Sequence, residues 1–138
     1  MTATVERFVC SIPGNPGEAR INRWTRSVRT ATGVRVVKRE EYRRWSARAS
    51  MIARVAASGL DLGDGPLHAE IVAYWPRVTR SGAAAGLAFG DVDATAKAVL
   101  DALEDAGVIR DDGQIETLTL RKAHSPKAPR IDVEVWRA

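Results

Sequence analysis

Residues 91–115 read DVDATAKAVLDALEDAGVIRDDGQI, and no other stretch of the chain constrains its architecture as strongly. Successive residues of an α-helix are turned by about 100°. Measured from Asp91, six apolar side chains before Gly107 fall in one sector of roughly 60° to 180°, the stripe that an amphipathic helix buries. The pattern predicts a helix from Asp91 to Gly107. Its stripe consists of Val92, Ala96, Val99, Leu100, Leu103 and Ala106.

Charged side chains follow one edge of this stripe. Asp93, Lys97, Asp101 and Glu104 fall between roughly 200° and 280°, so Asp93 and Lys97 are neighbours one turn apart. Asp91 stands at the start of the helix. Carboxylate oxygens suit hard cations such as magnesium, and Asp91 and Asp93 can converge on one ion.

Each of these residues also has a simpler role. Asp91 or Asp93 can cap the helix and favour the positive end of its dipole. Lys97 can be an i,i+4 ion-pair partner of Asp93, which stabilises a helix by only about 0.3–0.5 kcal/mol. The residues Asp111–Gly113 are of types that commonly form a turn, and such a turn needs no metal. The combination of these features favours a metal site over the separate roles.

The rest of the chain predicts one α+β domain over residues 1–138, a small mixed β-sheet packed with two main helices. We find no internal repeat and no domain boundary. The second helix is Arg39–Ser58, and the stretch before Gly33 is expected to be a loop. The apolar face of this helix, with spacings of three and four, is expected to consist of Tyr42, Trp45, Ala49, Ile52, Val55 and Ala56. The remaining expected elements are strands Val5–Ile12, Val34–Val37, Leu67–Trp75, Ile115–Lys122 and Ile131–Trp136, and a mobile loop Arg77–Gly90.

Composition narrows the class of protein. The chain has 138 residues, of which 45% are hydrophobic and 28% charged, as in a soluble globular protein. No run approaches the roughly 20 apolar residues that span a bilayer, and Glu6 and Arg7 stand where a signal peptide would be apolar. The single cysteine, Cys10, is expected to be a buried, reduced thiol. These features favour a cytoplasmic protein without a membrane partner.

The charges are segregated along the chain. Residues 20–54 contain eleven basic and two acidic residues, a net charge of +9. Residues 91–116 contain eight acidic and two basic residues, a net charge of −6. A nucleic-acid enzyme needs one region for phosphates and another for metal. A solvated basic helix with no partner is the alternative interpretation of the charge alone.

The acidic helix and the turn after it resemble the signature of the RusA-type Holliday junction resolvases. That signature is approximately D-[LV]-D-N-x-x-K, then D-A-L, a glycine, and a D-D pair followed by Gln and an apolar residue. One departure is Ala94, which stands where the family usually has Asn. The matching residues are Asp91, Asp93, Lys97, Asp101, Ala102, Leu103, Gly107, Asp111, Asp112, Gln114 and Ile115.

The resemblance implies a RusA-like fold and a set of catalytic residues. Asp91, Asp93 and Asp112 match the family's metal-binding acids, and Lys97 matches its catalytic lysine. The implied cofactor is Mg²⁺, with Mn²⁺ as the alternative ion. Family members act as homodimers that cut four-way DNA junctions with paired symmetric nicks, and they often occur in phages and prophages. In this chain, the residues expected to bind DNA are Lys38, Arg39, Arg43, Arg44, Arg48 and Trp24.

Three functions remain open on the sequence. The first is a magnesium-dependent endodeoxyribonuclease that resolves branched DNA. The second is a non-catalytic relative of the same fold that binds branched DNA, weakened by Ala94. The third is a magnesium-dependent phosphoesterase for small substrates, which the basic segment makes less favourable.

Added magnesium should stabilise the folded protein. Three carboxylates held close together repel one another until a cation joins them, and a ligand that binds only the folded state raises its stability. The melting temperature, followed by circular dichroism with EDTA or with MgCl₂, should therefore rise with magnesium. A melting temperature that is indifferent to the ion would count against the site.

Overall fold

A computed structural model describes residues 6–19, 25–31, 33–38, 40–76 and 92–138, and for residues 25–30, 33–38 and 92–94 it describes the backbone alone. Two short 3₁₀ turns lie at Pro16–Ala19 and Asp112–Gln114. The predicted α+β class is confirmed. The main elements described are β1 (Arg7–Pro13), β2 (Thr25–Thr30), β3 (Gly33–Lys38), α1 (Glu40–Ala56), β4 (Leu67–Trp75), α2 (Val92–Asp105), β5 (Ile115–His124) and β6 (Arg130–Arg137).

Four strands form a mixed sheet in the order β1-β6-β4-β5. β6 pairs antiparallel with β1 on one side and with β4 on the other, whereas β4 and β5 run parallel. The sequence of β4 explains its place in the interior of the sheet. Its alternate residues, from Leu67 to Trp75, are buried, and the residues between them are half-buried. β2 and β3 form a separate antiparallel pair.

Both helices contribute to one core on one face of this sheet. α1 contacts β1, and α2 contacts β4, β5 and α1. Trp45 of α1 and Leu103 of α2 are fully buried in this core with Ile71 of β4. A polar link also joins the helices, because the Ser50 hydroxyl donates a hydrogen bond of 2.6 Å to the Asp105 carboxylate. The site described below lies at the rim of this core.

The predicted stripe of α2 is confirmed at Ala96, Val99, Leu100 and Leu103, whereas Ala106 is half-buried and the side chain of Val92 lies outside the described residues. The buried face also includes small residues on the side nearest 0°, because α2 packs against α1 and against the sheet at once. The helix ends where Gly107 adopts a φ of +80°, a conformation that glycine reaches without strain. The buried residues of α2 are Thr95, Ala96, Ala98, Val99, Leu100, Ala102 and Leu103.

Two expectations from the sequence are wrong. The expected loop before Gly33 contains strand β2, whose residues TRSVRT have no apolar alternation and are held by pairing with β3. The predicted apolar face of α1 also included a residue that is not buried. Val55 is 72% exposed, because the helical period places it roughly 80° from Trp45, on the side away from Ala49 and Ala53. The buried face of α1 consists of Tyr42, Trp45, Ala49, Ser50 and Ala53.

Other expectations have mixed outcomes. Cys10 is a buried free thiol, as predicted, and burial together with nearby Asp132 raises its pKa to about 11. The predicted loop Arg77–Gly90 and the start of the first strand at Val5 lie outside the described residues. Within the described part of the chain, none of the helices is both long and apolar enough to cross a membrane.

Candidate metal centre

The turn before β5 is built by its own side chains. The Asp111 carboxylate accepts a hydrogen bond of 2.8 Å from the Gly113 N–H and so caps the 3₁₀ turn. The Gln114 amide oxygen accepts from the backbone N–H groups of Arg110 and Asp111, at 2.7 and 3.2 Å. Asp112 is the first residue of this turn. Its carboxylate is partly exposed, with 38% of the side chain accessible.

Lys97 joins this turn to α2. Its ammonium group lies 3.1 Å from Asp112 Oδ2 and 3.0 Å from Asp101 Oδ1. Asp101 is one helical turn after Lys97, whereas Asp112 is fifteen residues away in the sequence. The contact with Asp112 therefore brings the charged edge of α2 against the Asp111–Gly113 turn, as the predicted metal site requires.

The same contacts perturb the protonation of both partners. Hydrogen bonds to Asp101 and then to Asp112 raise the pKa of Lys97 above its ordinary value. The Lys97 ammonium is the main cause that holds the pKa of Asp112 below its ordinary value, and Asp111 adds to the effect. Both groups are thus charged at neutral pH. Asp112 is therefore deprotonated, which is the state in which a carboxylate binds a metal ion.

The three predicted metal ligands are described to different extents. Asp112 is described in full, Asp93 is described as a backbone position in the first turn of α2, and Asp91 lies outside the described residues. Position 93 is one helical turn before Lys97. It therefore lies on the same side of α2 as Lys97, the residue that contacts Asp112. Among the side chains that are described, no three His, Cys, Asp or Glu residues gather around a possible ion. Whether Asp91 and Asp93 complete the site remains a prediction.

Asp101 and Tyr42 belong to this region, although the sequence assigned neither a role. The i,i+4 spacing of Lys97 and Asp101 was the available signal for an ion pair. Tyr42 is 2% exposed, and burial together with nearby Asp101 raises its pKa to about 12. Tyr42, Ser46 and Asp101 line an open groove between α1 and α2. α1 therefore backs the carboxylate that holds Lys97.

The predicted DNA-binding residues differ in accessibility. Arg43 is exposed and has no ion-pair partner among the described residues, and Arg44 is exposed and pairs with Glu40. Arg48 instead turns toward the fold, where its guanidinium donates to the Pro13 carbonyl and pairs with Glu18 at 3.3 Å. Lys38 ends β3 and is described in its backbone alone, and Arg39 and Trp24 lie outside the described residues. Arg43 and Arg44 are thus the accessible pair.

Comparison with known protein families identifies the family of this chain. The model of the family described as Endodeoxyribonuclease RusA matches residues 13–136, nearly the whole 138-residue chain. The matched range includes α1, α2 and the Asp111–Gly113 turn. None of the curated proteins matches the chain significantly.

Removing the cation at Lys97 should raise the pKa of Asp112. In Lys97→Met the carboxylate loses the hydrogen bond and the positive charge that favour its ionised form. The carboxyl ¹³C shift of Asp112, followed by NMR titration of metal-free protein, should have a higher midpoint than in the wild type. The stability that this carboxylate contributes in the wild type is present above its unfolded-state pKa and is lost as pH falls through the folded-state value. Lys127→Met removes an exposed lysine elsewhere and should leave the midpoint unchanged; equal midpoints in all three proteins would contradict the bridge.

Proposed function

Because the chain belongs to the RusA family of endodeoxyribonucleases, which resolve Holliday junctions, we propose that it is a magnesium-dependent enzyme that cuts branched DNA by paired symmetric nicks. One observation supports the chemistry above all: the 3.1 Å contact between Lys97 on α2 and Asp112 in the turn before β5. It brings together two segments that the family signature requires at one site.

In this proposal Asp91, Asp93 and Asp112 hold the ion. The donor set fits magnesium, which prefers carboxylate oxygens, and Asp112 is both ionised and partly exposed. Bound magnesium supplies the activation of water and the neutralisation of charge on phosphate oxygens that phosphodiester hydrolysis needs. Mn²⁺ has similar ligand preferences and should substitute.

Lys97 then has a role of its own. In the metal-free protein its ammonium neutralises Asp112 and so reduces the repulsion among the carboxylates of the site. Once Asp112 is engaged by an ion, Lys97 retains Asp101 as a partner at 3.0 Å and stays at the rim of the site. There it can orient the scissile phosphate and neutralise charge that develops as the bond breaks.

The N-terminal half of α1 is the proposed phosphate-binding surface. Arg43 is exposed and borders a groove with Tyr42 and with Asp105 of the neighbouring helix α2, and Arg44 is exposed on the same helix as Arg43. The surrounding segment carries a charge of +9, counted from eleven basic and two acidic residues. Contacts of this kind hold DNA through its phosphates and give no sequence preference.

Two symmetric nicks require two copies of the site related by a two-fold axis. We therefore propose that the active species is a homodimer, because isologous association of one chain generates that axis directly. A junction with two-fold symmetry then presents one scissile phosphate to each protomer.

Cutting of a synthetic four-way junction tests the proposed activity. The protein is incubated with the junction, with a duplex of matched sequence and with a small phosphodiester, each with and without MgCl₂. We expect nicks at symmetry-related positions of the junction alone, only with magnesium, and a loss of at least about 100-fold in Asp93→Asn, since the metal loses a ligand. Glu6→Gln, which removes an exposed acid before β1 and away from the site, is the control.

The other outcomes contradict the proposal in different ways. Junction binding without cutting, with magnesium present, would identify a non-catalytic relative. Hydrolysis of the small ester alone would identify a phosphoesterase of another kind. Cutting that survives Asp93→Asn would remove the acidic centre from the chemistry.

The double variant Arg43→Ala/Arg44→Ala should bind the junction with a shallower dependence on salt. Each lost phosphate contact lowers the slope of log K against log salt concentration by about 0.9. Fluorescence anisotropy at several NaCl concentrations measures the slope, and two lost contacts should lower it by up to about 1.8. Arg54→Ala, in the last turn of the same helix, is expected to leave the slope near the wild-type value. A double variant with the wild-type slope would place the DNA elsewhere.

A further inference from the structure

The side-chain amide of Gln114 uses all of its hydrogen-bonding capacity. Its oxygen accepts from the backbone N–H groups of Arg110 and Asp111, at 2.7 and 3.2 Å. Its nitrogen donates to the carbonyls of Gly63 and Gly65, at 3.0 and 2.9 Å. A primary amide has two N–H donors and two acceptor sites, so the group is saturated. One side chain thus connects the turn before β5 to the loop before β4, residues 59–66.

That loop is itself fastened to the sheet. Arg137 of β6 donates to the carbonyls of Leu62 and Asp61, at 3.1 and 2.7 Å. The Arg110 guanidinium also pairs with Asp61 and Asp64, although these groups are well exposed and such pairs contribute little. The loop therefore offers a fixed set of carbonyl acceptors at the edge of the sheet, and Gln114 ties the turn to them.

Asp112 lies between the points at which this turn is held. Before it, the N–H groups of Arg110 and Asp111 are bound by Gln114, and after it the Gly113 N–H is bound by the Asp111 carboxylate. The backbone of Asp112 is thus restrained on both sides. Its carboxylate contacts Lys97, but an ion pair between partly exposed groups is too weak to define the position of a turn.

We propose that Gln114 is a positioning residue for the metal centre: by clamping the turn to loop 59–66, it holds Asp112 where its carboxylate can bind a divalent cation together with α2. This inference rests on the proposed function, since it assumes that Asp112 is a ligand. Metal sites lose affinity when the groups that orient their ligands are removed, because the ligand must then be ordered at the moment of binding.

The test compares Gln114→Met with Arg130→Met. Methionine keeps the length of the glutamine side chain and removes its hydrogen bonds to both segments. Arg130→Met removes hydrogen bonds to the Asp132 carboxylate and the Ala128 carbonyl at the opposite end of the sheet, so it reports the effect of a general loss of stability. Affinity for Mn²⁺ is measured by calorimetry on metal-free protein, stability by urea unfolding in EDTA, and protection of the Arg110 and Asp111 amides by hydrogen exchange.

We expect Gln114→Met to bind Mn²⁺ about 10–100-fold more weakly and to lose protection at Arg110 and Asp111. Arg130→Met should lose stability while its Mn²⁺ affinity stays within about twofold of the wild type, because changes that leave ligand orientation intact have little effect on affinity. Wild-type affinity in Gln114→Met, or an equal loss in both variants, would overturn the positioning role.

Two further measurements keep the outcomes distinguishable. Should Gln114→Met fail to fold, the wild-type protein still gives an answer: the side-chain amide protons of Gln114 must exchange slowly, and fast exchange overturns the clamp. Asp112→Asn examines the proposed metal centre itself. Wild-type Mn²⁺ affinity in Asp112→Asn would overturn that centre and the inference with it, whereas lost binding there and unchanged binding in Gln114→Met would overturn the inference alone.

Discussion

The parallel pairing of β4 with β5 is the constraint on which the candidate site depends. Parallel neighbours cannot be joined by a tight turn, so the chain must cross over the sheet, and α2 lies in that crossover. Parallel strands also begin at the same edge of a sheet, where Leu67 and Ile115 are register partners. The loop before one strand and the turn before the other therefore lie side by side. This adjacency lets Gln114 reach carbonyls about fifty residues earlier in the chain.

The two kinds of interaction at this edge have different tasks. Hydrogen bonds to backbone groups set the geometry of the turn, because they are short, directional and saturate their partners. The ion pairs of Lys97 are partly exposed and contribute little to stability, but they set the charge state of Asp112. The acidic segment thus carries its own counter-ion, while the basic helix α1 leaves Arg43 accessible. In the proposed function, this separation of charge lets one small chain bind a metal ion and a DNA backbone at neighbouring sites.

The sequence was informative where periodicity reflects burial. The bounds of β4 follow from strict alternation, and the core face of α2 follows from its apolar stripe. Strand β2 could not be predicted, because TRSVRT has no apolar alternation in its sequence and pairs only with its partner strand β3 among the described strands. The family signature indicated that Lys97 and Asp112 belong to one site, but their contact depends on the crossover. Gln114 belongs to the family signature, but no pattern indicated its clamp to loop 59–66, because all of its partners are backbone groups, which nearly any residue supplies.

The place of β6 has a consequence for how the protein is made. This strand comes late in the chain, yet it lies between β1 and β4, so those two earlier strands have no direct pairing with each other within the described sheet. During synthesis β1 must wait, unpaired, until residues 130–137 leave the ribosome. A nascent chain therefore cannot complete the layer that supports its acidic centre. Translation that stops early yields a polypeptide in which β1 and β4 expose unpaired strand edges, which chaperones and proteases recognise.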